Sequence, residues 1–356
     1  MAYQKNFRLY QELDIRIVYR PLHFSKPART SRDVLHVRDA WYIILSDSNG
    51  CTGIGECAPI FGLSVETRHQ MDEAVRRITS GLGEDDLQKL LSHYPALCMA
   101  FETAASDYQN GGLRRPFSTS DDFKISINGL VWMDNKQQML DEARREIAEG
   151  YGCIKFKIGG IDFEDELELL RQIRIENAPE HLEIRLDANG AFGAKDALPK
   201  LERLAAFHIH SMEQPIKAGQ QAALKMLVQQ TPIPVALDEE LIGIDTLEKK
   251  ISLLDTVRPH YLVLKPTLHG GFSGADEWIA LAKERNIKWW ATSALESNIG
   301  LNAIARWVHT KQTEIPQGLG TGSLYSNNIA SPLRAEGGWL TCTANEWDLH
   351  EIVNAP

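Results

Sequence analysis

The sequence lacks the features that mark exported, membrane-spanning and nucleic-acid-binding proteins. Its five cysteines include no CxxC pair, so neither a disulfide framework nor a zinc knuckle is indicated. No apolar run reaches about 18 residues, and the N-terminus has no basic start followed by an apolar stretch. Positive charge is not in excess, because the formal net charge is −10 and acidic residues are spread along the chain. We therefore expect reduced thiols, a cytoplasmic location, no contact with nucleic acid or membrane, and a small-molecule ligand. No particular oligomeric state is predicted.

The first third of the 356 residues predicts an α+β domain. Runs of β-branched and aromatic residues at Asn6 to Tyr19 and Asp39 to Leu45 indicate antiparallel strands. Between them, the polar, proline-containing stretch from Pro21 to Arg32 predicts a mobile loop. The glycines and proline between Gly53 and Thr67 predict a second shaped loop. A helical pattern with alanines at 100, 104 and 105 then predicts a small-residue face that can pack closely against another element.

From Phe123 onward, short apolar runs alternate with amphipathic helical segments. The runs start at Lys124, Ile154, Glu183, Ile209, Pro234, Tyr261, Lys288 and Ile315. Successive starts are 25 to 30 residues apart, which is the length of one strand and one helix. Eight such units predict an α/β fold with a closed barrel of parallel strands. An open doubly wound sheet is the alternative, but no G-x-G-x-x-G follows the first barrel strand.

Three carboxylates close consecutive strands of this predicted barrel. Asp187 ends the third strand, Glu213 the fourth and Asp238 the fifth. Any one of them could instead cap the next helix. Three carboxylates on neighbouring strand ends would repel strongly unless a cation lay among them, and oxygen ligands suit Mg²⁺, with Mn²⁺ as the alternative. Asn189, two residues beyond Asp187, could support this predicted metal site.

Lysines flank the predicted metal site on two opposite strands. Lys155 and Lys157 are two residues apart on the second strand and so point to the same face. The residues that alternate with them, Ile154, Phe156 and Ile158, are apolar and are expected to pack against the helices. Both lysines should therefore point into the barrel. Lys265 follows the sixth strand, which lies opposite the second in a ring of eight. Lysines in a barrel can simply be ion-pair partners. A lysine can act as a base, however, when nearby positive charge lowers its pKa so that the amine is neutral.

Seven motifs resemble, in order, those of the enolase superfamily, muconate cycloisomerase subgroup. They are GIGECAPI, IKFKI, RLDANGAF, SMEQP, ALDEE, LKPTLHGG and TSALES. The resemblance implies a barrel of eight strands and seven helices over residues 123–322. It also implies an N-terminal α+β capping domain over 1–122 with substrate-covering loops, and a C-terminal segment, 323–356, that returns to that domain. Lys157 and Lys265 would be catalytic, with Lys155, Asn189 and Glu239 in support.

Within the subgroup, four segments resemble members that dehydrate a cyclohexadiene carboxylate to an aromatic acid in menaquinone biosynthesis. These are SINGLVWM, PIFGLSVET, SALESNIGLNAIA and LGTGSLYSNNIASPL. The resemblance implies that Lys157 removes the α-proton and returns it to the departing hydroxyl, while Lys265 stays cationic. Substrate carboxylates would then meet Arg185, Ser293, Gly318 and Thr321. Alternatively, Arg185 pairs within the barrel.

Two other functions stay open from the sequence. One is a dipeptide epimerase or N-acylamino acid racemase of the same subgroup, in which both lysines exchange protons. Dipeptide epimerases carry an Asp-x-Asp after the last barrel strand, where this chain has Gly320-Thr321-Gly322. The other is a binding protein that kept the barrel and lost the chemistry, although every catalytic position is filled.

Overall fold

The N-terminal part of the chain is an α+β unit in the computed structural model, which describes residues 9–29, 34–117, 122–343 and 347–353. Its elements are α1 (Leu9–Glu12), β1 (Asp14–Tyr19), β2 (Leu22–Arg29), β3 (Val34–Arg38), β4 (Trp41–Ser46), β5 (Thr52–Cys57), α2 (Arg68–Thr79), α3 (Glu84–His93) and α4 (Pro95–Gln109). Strands β1, β4 and β5 form an antiparallel sheet in that order. We call this unit the cap.

The segment predicted as a loop from Pro21 to Arg32 is largely a strand. Strand β2 pairs with β3 in an antiparallel two-stranded sheet, so the prediction of a loop is wrong there. Residues 30–33 lie outside the described residues. Backbone pairing between the two strands outweighs the polar composition, which alone suggested a loop.

Helix α4 lies directly on β5, as its small-residue face predicted. A Cβ atom at Gly53 would lie 1.9 Å from the carbonyl oxygen of Ala104, and one at Gly55 equally close to that of Ala100. Only glycine permits this approach between a strand and a helix backbone. The contact joins the sheet of the cap to its longest helix, which is buried along most of its length.

The rest of the chain alternates strands and helices. Its elements are β6 (Phe123–Ser126), β7 (Gly129–Val131), α5 (Lys136–Ala148), β8 (Cys153–Lys157), α6 (Phe163–Glu176), β9 (Glu183–Asp187), α7 (Ala197–Leu204), β10 (Ile209–Glu213), α8 (Gln221–Gln230), β11 (Val235–Leu237), α9 (Leu247–Val257), β12 (Tyr261–Leu264), α10 (Gly271–Glu284), β13 (Lys288–Ala291), α11 (Asn298–Lys311), β14 (Leu333–Glu336), β15 (Trp339–Cys342) and α12 (His350–Val353). Strands β7 to β13 form one parallel sheet in sequence order. None of the described helices is long and apolar enough to cross a membrane.

Helix α5 shows how the sequence sets these elements. The side chain of Asn135 accepts a hydrogen bond from the backbone N–H of Gln138 and so caps the first turn. Met139 and Ala143, four residues apart, are buried on the same face. Gly150 then adopts a φ of 97°, a left-handed conformation that lets the chain turn back into β8.

The ring is closed by a short segment rather than by a full eighth strand. At the predicted eighth strand, Gln317 bridges to Ile127 and Gly318 bridges to Thr292, both in parallel orientation. Backbone hydrogen bonds of 2.8 Å join Gln317 N to the carbonyl of Ser126 and Gly318 N to that of Ala291. These bonds connect the two edges of the parallel sheet. Pro316 lacks an N–H group, which shortens the pairing that this segment can make.

The run predicted as the first barrel strand contains two strands. The barrel strand is β7, which pairs with β8, while β6 pairs with β15 in an antiparallel sheet that also contains β14. The main hydrophobic core lies between the barrel strands and the surrounding helices. The last described residues return to the cap, where Ile352 is buried with Val18 and Tyr42.

Candidate active site

The three predicted metal-binding carboxylates lie side by side at the carboxyl ends of the barrel strands. Asp187 and Glu213 are the last residues of β9 and β10 and stand opposite each other in the strand register. Asp238 directly follows β11. All three side chains are buried. The loop that follows β11 is fixed by Gln214, whose Oε1 accepts 3.2 Å hydrogen bonds from the backbone N–H groups of Asp238 and Glu240.

Each carboxylate is paired with a lysine amine. Lys155 Nζ lies 2.9 Å from Glu213 Oε2 and 3.5 Å from Asp187 Oδ2. Lys157 Nζ lies 2.5 Å from the same Asp187 oxygen, and Lys265 Nζ donates to Asp238 Oδ2. Both lysines of β8 therefore point into the barrel, as predicted. Their apolar neighbours Ile154, Phe156 and Ile158 are fully buried in the core between strands and helices.

Asn189 and Glu239 join this cluster at its edge. Lys157 Nζ donates a 2.8 Å hydrogen bond to Asn189 Oδ1, and Asn189 Nδ2 donates a 3.0 Å hydrogen bond to Glu239 Oε1. The backbone N–H of Asn189 binds the second oxygen of Asp187 at 2.9 Å. Asn189 adopts a φ of 44°, a left-handed conformation that asparagine tolerates better than most residues. It thereby orients both the carboxylate and the lysine.

Burial and mutual charge shift the pKa values in this cluster. Burial raises the pKa of Glu213 to about 8, and the charge of Asp187 adds to this effect. Burial would also raise the pKa of Asp187, but the charges of Lys157 and Lys155 outweigh it and lower that pKa. Burial would lower the pKa of Lys265, whereas the charge of Asp238 raises it above its ordinary value. This shift favours the cationic form of Lys265.

The donor set fits a divalent cation. Glu213 Oε1 and Asp238 Oδ1 are buried and accept no hydrogen bond within the described part of the chain. Buried carboxylate oxygens of this kind need a partner, and a hard cation supplies one. In the described residues, no three His, Cys, Asp or Glu side chains surround a common point as a finished metal site. Instead, one oxygen of each of the three carboxylates forms an ion pair with a lysine amine.

A cavity of about 1170 Å³ opens above the cluster. Lys157 and Lys265 both line it. Their strands, β8 and β12, are four steps apart around the ring in either direction, counting the closing segment. The two lysines therefore face the cavity from opposite sides. The cap supplies part of the wall, through Leu35 and Phe61 among others.

Three of the four predicted substrate-binding residues lie in the cavity wall. These are Ser293, Gly318 and Thr321. The hydroxyl oxygens of Ser293 and Thr321 are 2.6 Å apart, so the two side chains form one polar patch. Gly318 packs against Thr292, because a Cβ atom at 318 would lie 2.0 Å from the threonine Oγ1.

Arg185 does not line the cavity, and its contacts agree with the alternative prediction that it pairs within the barrel. Its Nε lies 2.7 Å from Glu183 Oε1, and its NH1 group donates a 2.8 Å hydrogen bond to the carbonyl of Pro316. Its guanidinium carbon lies 4.5 Å from the ring centre of Trp290. The side chain is two residues below Asp187 on the same strand face, and it pairs with groups deeper in the barrel.

Several cavity residues were not among the predicted site residues. Leu35 and His36 come from β3, Trp132 follows β7, and Leu295 and Leu324 come from loops after the last two barrel segments. Trp132, Leu295 and Leu324 lie in segments that carry the family resemblance, but nothing in the spacing of the five residues distinguishes them from ordinary surface or core residues. Leu295 alone has an unusual feature, a φ of 62°, which only the structure reveals.

The comparisons with known proteins agree with this fold. The family model "Enolase C-terminal domain-like" matches residues 138–344. The chain therefore belongs to the enolase superfamily and is an enzyme of that class. Members of the superfamily typically use a divalent metal ion.

Individual relatives lie within the same class. The o-succinylbenzoate synthase of Desulfotalea psychrophila is 42% identical over 355 residues, covering 90% of this chain and 96% of the relative. The crystal structure of MenC from the same organism has a TM-score of 0.76 at 38% identity, covering 92% of this chain and 99% of that one. The L-Ala-D/L-Glu epimerase of Bacillus subtilis is 23% identical and covers 81% of this chain and 82% of its own.

Proposed function

We propose that this protein is an o-succinylbenzoate synthase that acts in menaquinone biosynthesis. It would convert 2-succinyl-6-hydroxy-2,4-cyclohexadiene-1-carboxylate to 2-succinylbenzoate and water. The observation that supports this most strongly is the 42% identity to an o-succinylbenzoate synthase over 90% of the chain. The facing lysines and the carboxylate cluster agree with such a reaction, because it needs a proton removed next to a carboxylate. The cytoplasm is the proposed location, in keeping with five free cysteines.

The metal that we propose is Mg²⁺, held by Asp187, Glu213 and Asp238. The donor set consists of oxygens alone, and two of these oxygens are buried without a hydrogen-bond donor among the described residues. A bound divalent cation would stabilise the negative charge that develops on the substrate carboxylate. Asn189 and Glu239 would orient this cluster through the hydrogen bonds that link them to each other and to Lys157.

Lys157 is the proposed base and acid. As a neutral amine it would take the proton from C1, next to the ring carboxylate. The electron pair of that C–H bond first passes into the carboxylate, which becomes an enediolate. It then forms the C1–C6 double bond as the C6–O bond breaks, and Lys157 returns the proton to the departing oxygen, so that water leaves. A single residue on one side of the ring can perform both transfers when the proton and the hydroxyl lie on the same face.

Lys265 would remain a cation on the opposite side of the substrate. Its burial in an ion pair with Asp238 agrees with this role, because a lysine that keeps its proton cannot act as a base. Its positive charge would stabilise the enediolate that forms when C1 loses its proton. Ser293 and Thr321 would contact the substrate through the polar patch that their hydroxyls form, and Gly318 would contact it from the same wall of the cavity.

The test is an assay of the purified protein with Mg²⁺ against the cyclohexadiene precursor and against a panel of dipeptides and N-acylamino acids. We expect dehydration of the precursor, seen as the absorbance of the aromatic product. Turnover of the panel without dehydration would instead support the epimerase or racemase. Binding of the precursor without any turnover would support a non-catalytic binding protein.

A further inference from the structure

We propose that Glu56 of the cap is a positioning residue that holds one wall of the substrate cavity in place. Glu56 is the next-to-last residue of β5 and does not line the cavity. The wall in question is the loop after β13, which carries Ser293 and Leu295 into the cavity and runs directly into α11. This inference rests on the proposed function only insofar as that wall contacts the substrate.

Glu56 binds the end of the loop through three hydrogen bonds. Its Oε1 accepts a 2.8 Å bond from the backbone N–H of Ser297, and its Oε2 accepts from the Ser297 hydroxyl and, at 2.8 Å, from the backbone N–H of Gly300. A carboxylate at the first turn of a helix is favoured by the exposed N–H groups there. Tyr42, also from the cap, donates a 3.1 Å hydrogen bond to the same Ser297 hydroxyl. The cap therefore fixes the point where the loop ends and α11 begins.

The loop between this anchor and the barrel has a strained backbone. Leu295 has a φ of 62°, in the left-handed region that a leucine rarely adopts. Such a conformation persists only where the surroundings hold it. Leu295 N donates a 3.3 Å hydrogen bond to Ser293 Oγ, and its carbonyl accepts a 2.5 Å bond from the Tyr325 hydroxyl. The strained residue and the proposed substrate-contacting serine are thus bonded to each other.

The same loop also contacts the turn that follows Lys265. Thr267, two residues beyond Lys265, donates a hydrogen bond from its hydroxyl to Glu296 Oε1. Glu296 is fully buried and lies directly before Ser297. A shift of the loop end would therefore displace both the Ser293 wall and the segment that carries Lys265. The geometry assigns Glu56 a role in orienting the substrate between the two lysines, although its side chain touches neither of them.

The cap supplies a matched control in Glu102. This buried carboxylate of α4 accepts hydrogen bonds from the backbone N–H groups of Phe272 and Ser273 and from the Ser273 hydroxyl, at the start of α10. Glu56 and Glu102 thus make the same kind of contact between the cap and a barrel helix. Neither Phe272 nor Ser273 lines the cavity.

The experiment compares Glu56→Gln with Glu102→Gln in the full-length protein. Both variants should lower the melting temperature, since each breaks hydrogen bonds at the same interface. Only Glu56→Gln should lower kcat for dehydration, by roughly 10- to 100-fold, because small misplacements of bound substrate have effects of this size. Equal kcat values for the two variants, or a rise in KM alone in Glu56→Gln, would overturn the inference. Absence of dehydration by the wild type would instead refute the proposed function.

Two further measurements keep the inference testable apart from activity and folding. Amide hydrogen exchange over residues 293–300 should become faster in Glu56→Gln and stay unchanged in Glu102→Gln; unchanged exchange in Glu56→Gln would contradict the role. If Glu56→Gln does not fold, Tyr325→Phe removes only the hydrogen bond to the Leu295 carbonyl. That variant should also lower kcat with little change in KM, and wild-type kcat in a folded Tyr325→Phe would refute the inference.

Discussion

Glu56 should make the protein less stable as the pH rises from mildly acidic to mildly basic. Burial raises the pKa of its carboxyl group from 4.5 to about 7. The hydrogen bonds from Ser297 and Gly300 act in the opposite direction but do not cancel the effect of burial. Neighbouring groups with an electrostatic effect on this region are Glu296, Tyr42, Tyr325 and Arg38. Replacing Glu56 with glutamine removes the titrating group and keeps its size.

The sign and size of the effect follow from proton linkage. Because the folded-state pKa lies above the unfolded value, the folded protein binds more protons between these two values. The contribution of Glu56 to stability is therefore complete below about pH 4.5 and is lost as the pH rises through about 7. A shift of one unit corresponds to about 1.4 kcal/mol, so the loss between pH 5 and pH 8 is roughly 2 to 3 kcal/mol.

Urea unfolding of the wild type and of Glu56→Gln at pH 5 and pH 8, in the presence of a chelator, measures this difference. The free energy of unfolding of the variant relative to the wild type should increase by roughly 2 to 3 kcal/mol between the two pH values. Glu248→Gln is the control, because Glu248 is exposed on α9 and its variant should follow the wild-type profile. Parallel pH profiles for the wild type and Glu56→Gln would refute the reasoning.

Three further predictions concern the reaction and the cavity. Lys157→Ala should abolish exchange of the substrate α-proton with solvent deuterium, whereas Lys155→Ala should retain it; the reverse result would move the base to Lys155. Chelation should stop dehydration and added Mg²⁺ should restore it, and undiminished turnover in excess chelator would contradict the metal site. Gly318→Ala should lower the free energy of unfolding, measured in urea, by about 1 to 3 kcal/mol, because the added Cβ would clash with Thr292. Gly83→Ala is the control, because a Cβ atom at position 83 would lie in open space.

The placement of the lysines could be predicted because strand alternation is strict. In β8, the residues that alternate with the lysines are large and apolar, and one face of a barrel strand must pack on helices. The two lysines therefore had to face the lumen, and the structure confirms it. Asp187, Glu213 and Asp238 follow in the same way from their place at the ends of successive strands.

The closing segment and the pairing of β6 depend on contacts that no local pattern encodes. The sequence around Ile125 alternates like a barrel strand, yet its partner is the distant strand β15. Gln317 and Gly318 were predicted within a full strand but make only isolated bridges. Their pairing depends on where the edges of the sheet meet after seven strands have formed. Such long-range pairing cannot be inferred from a period of two in the sequence.

Arg185 illustrates a different limit, which is depth within the barrel. Alternation correctly places Glu183, Arg185 and Asp187 on the inner face of β9. Residues two apart on a strand differ in height by about 6 to 7 Å, which is enough to separate a substrate contact from a buried ion pair. The arginine donates a hydrogen bond to Glu183, which lies deeper in the barrel, and its guanidinium group stacks on Trp290. The guanidinium group is therefore paired within the barrel and does not reach the cavity. An inward-facing polar residue below the last inward position of its strand is therefore a site candidate only when its side chain is long enough to reach the cluster at the strand ends, as that of Lys155 does through Glu213.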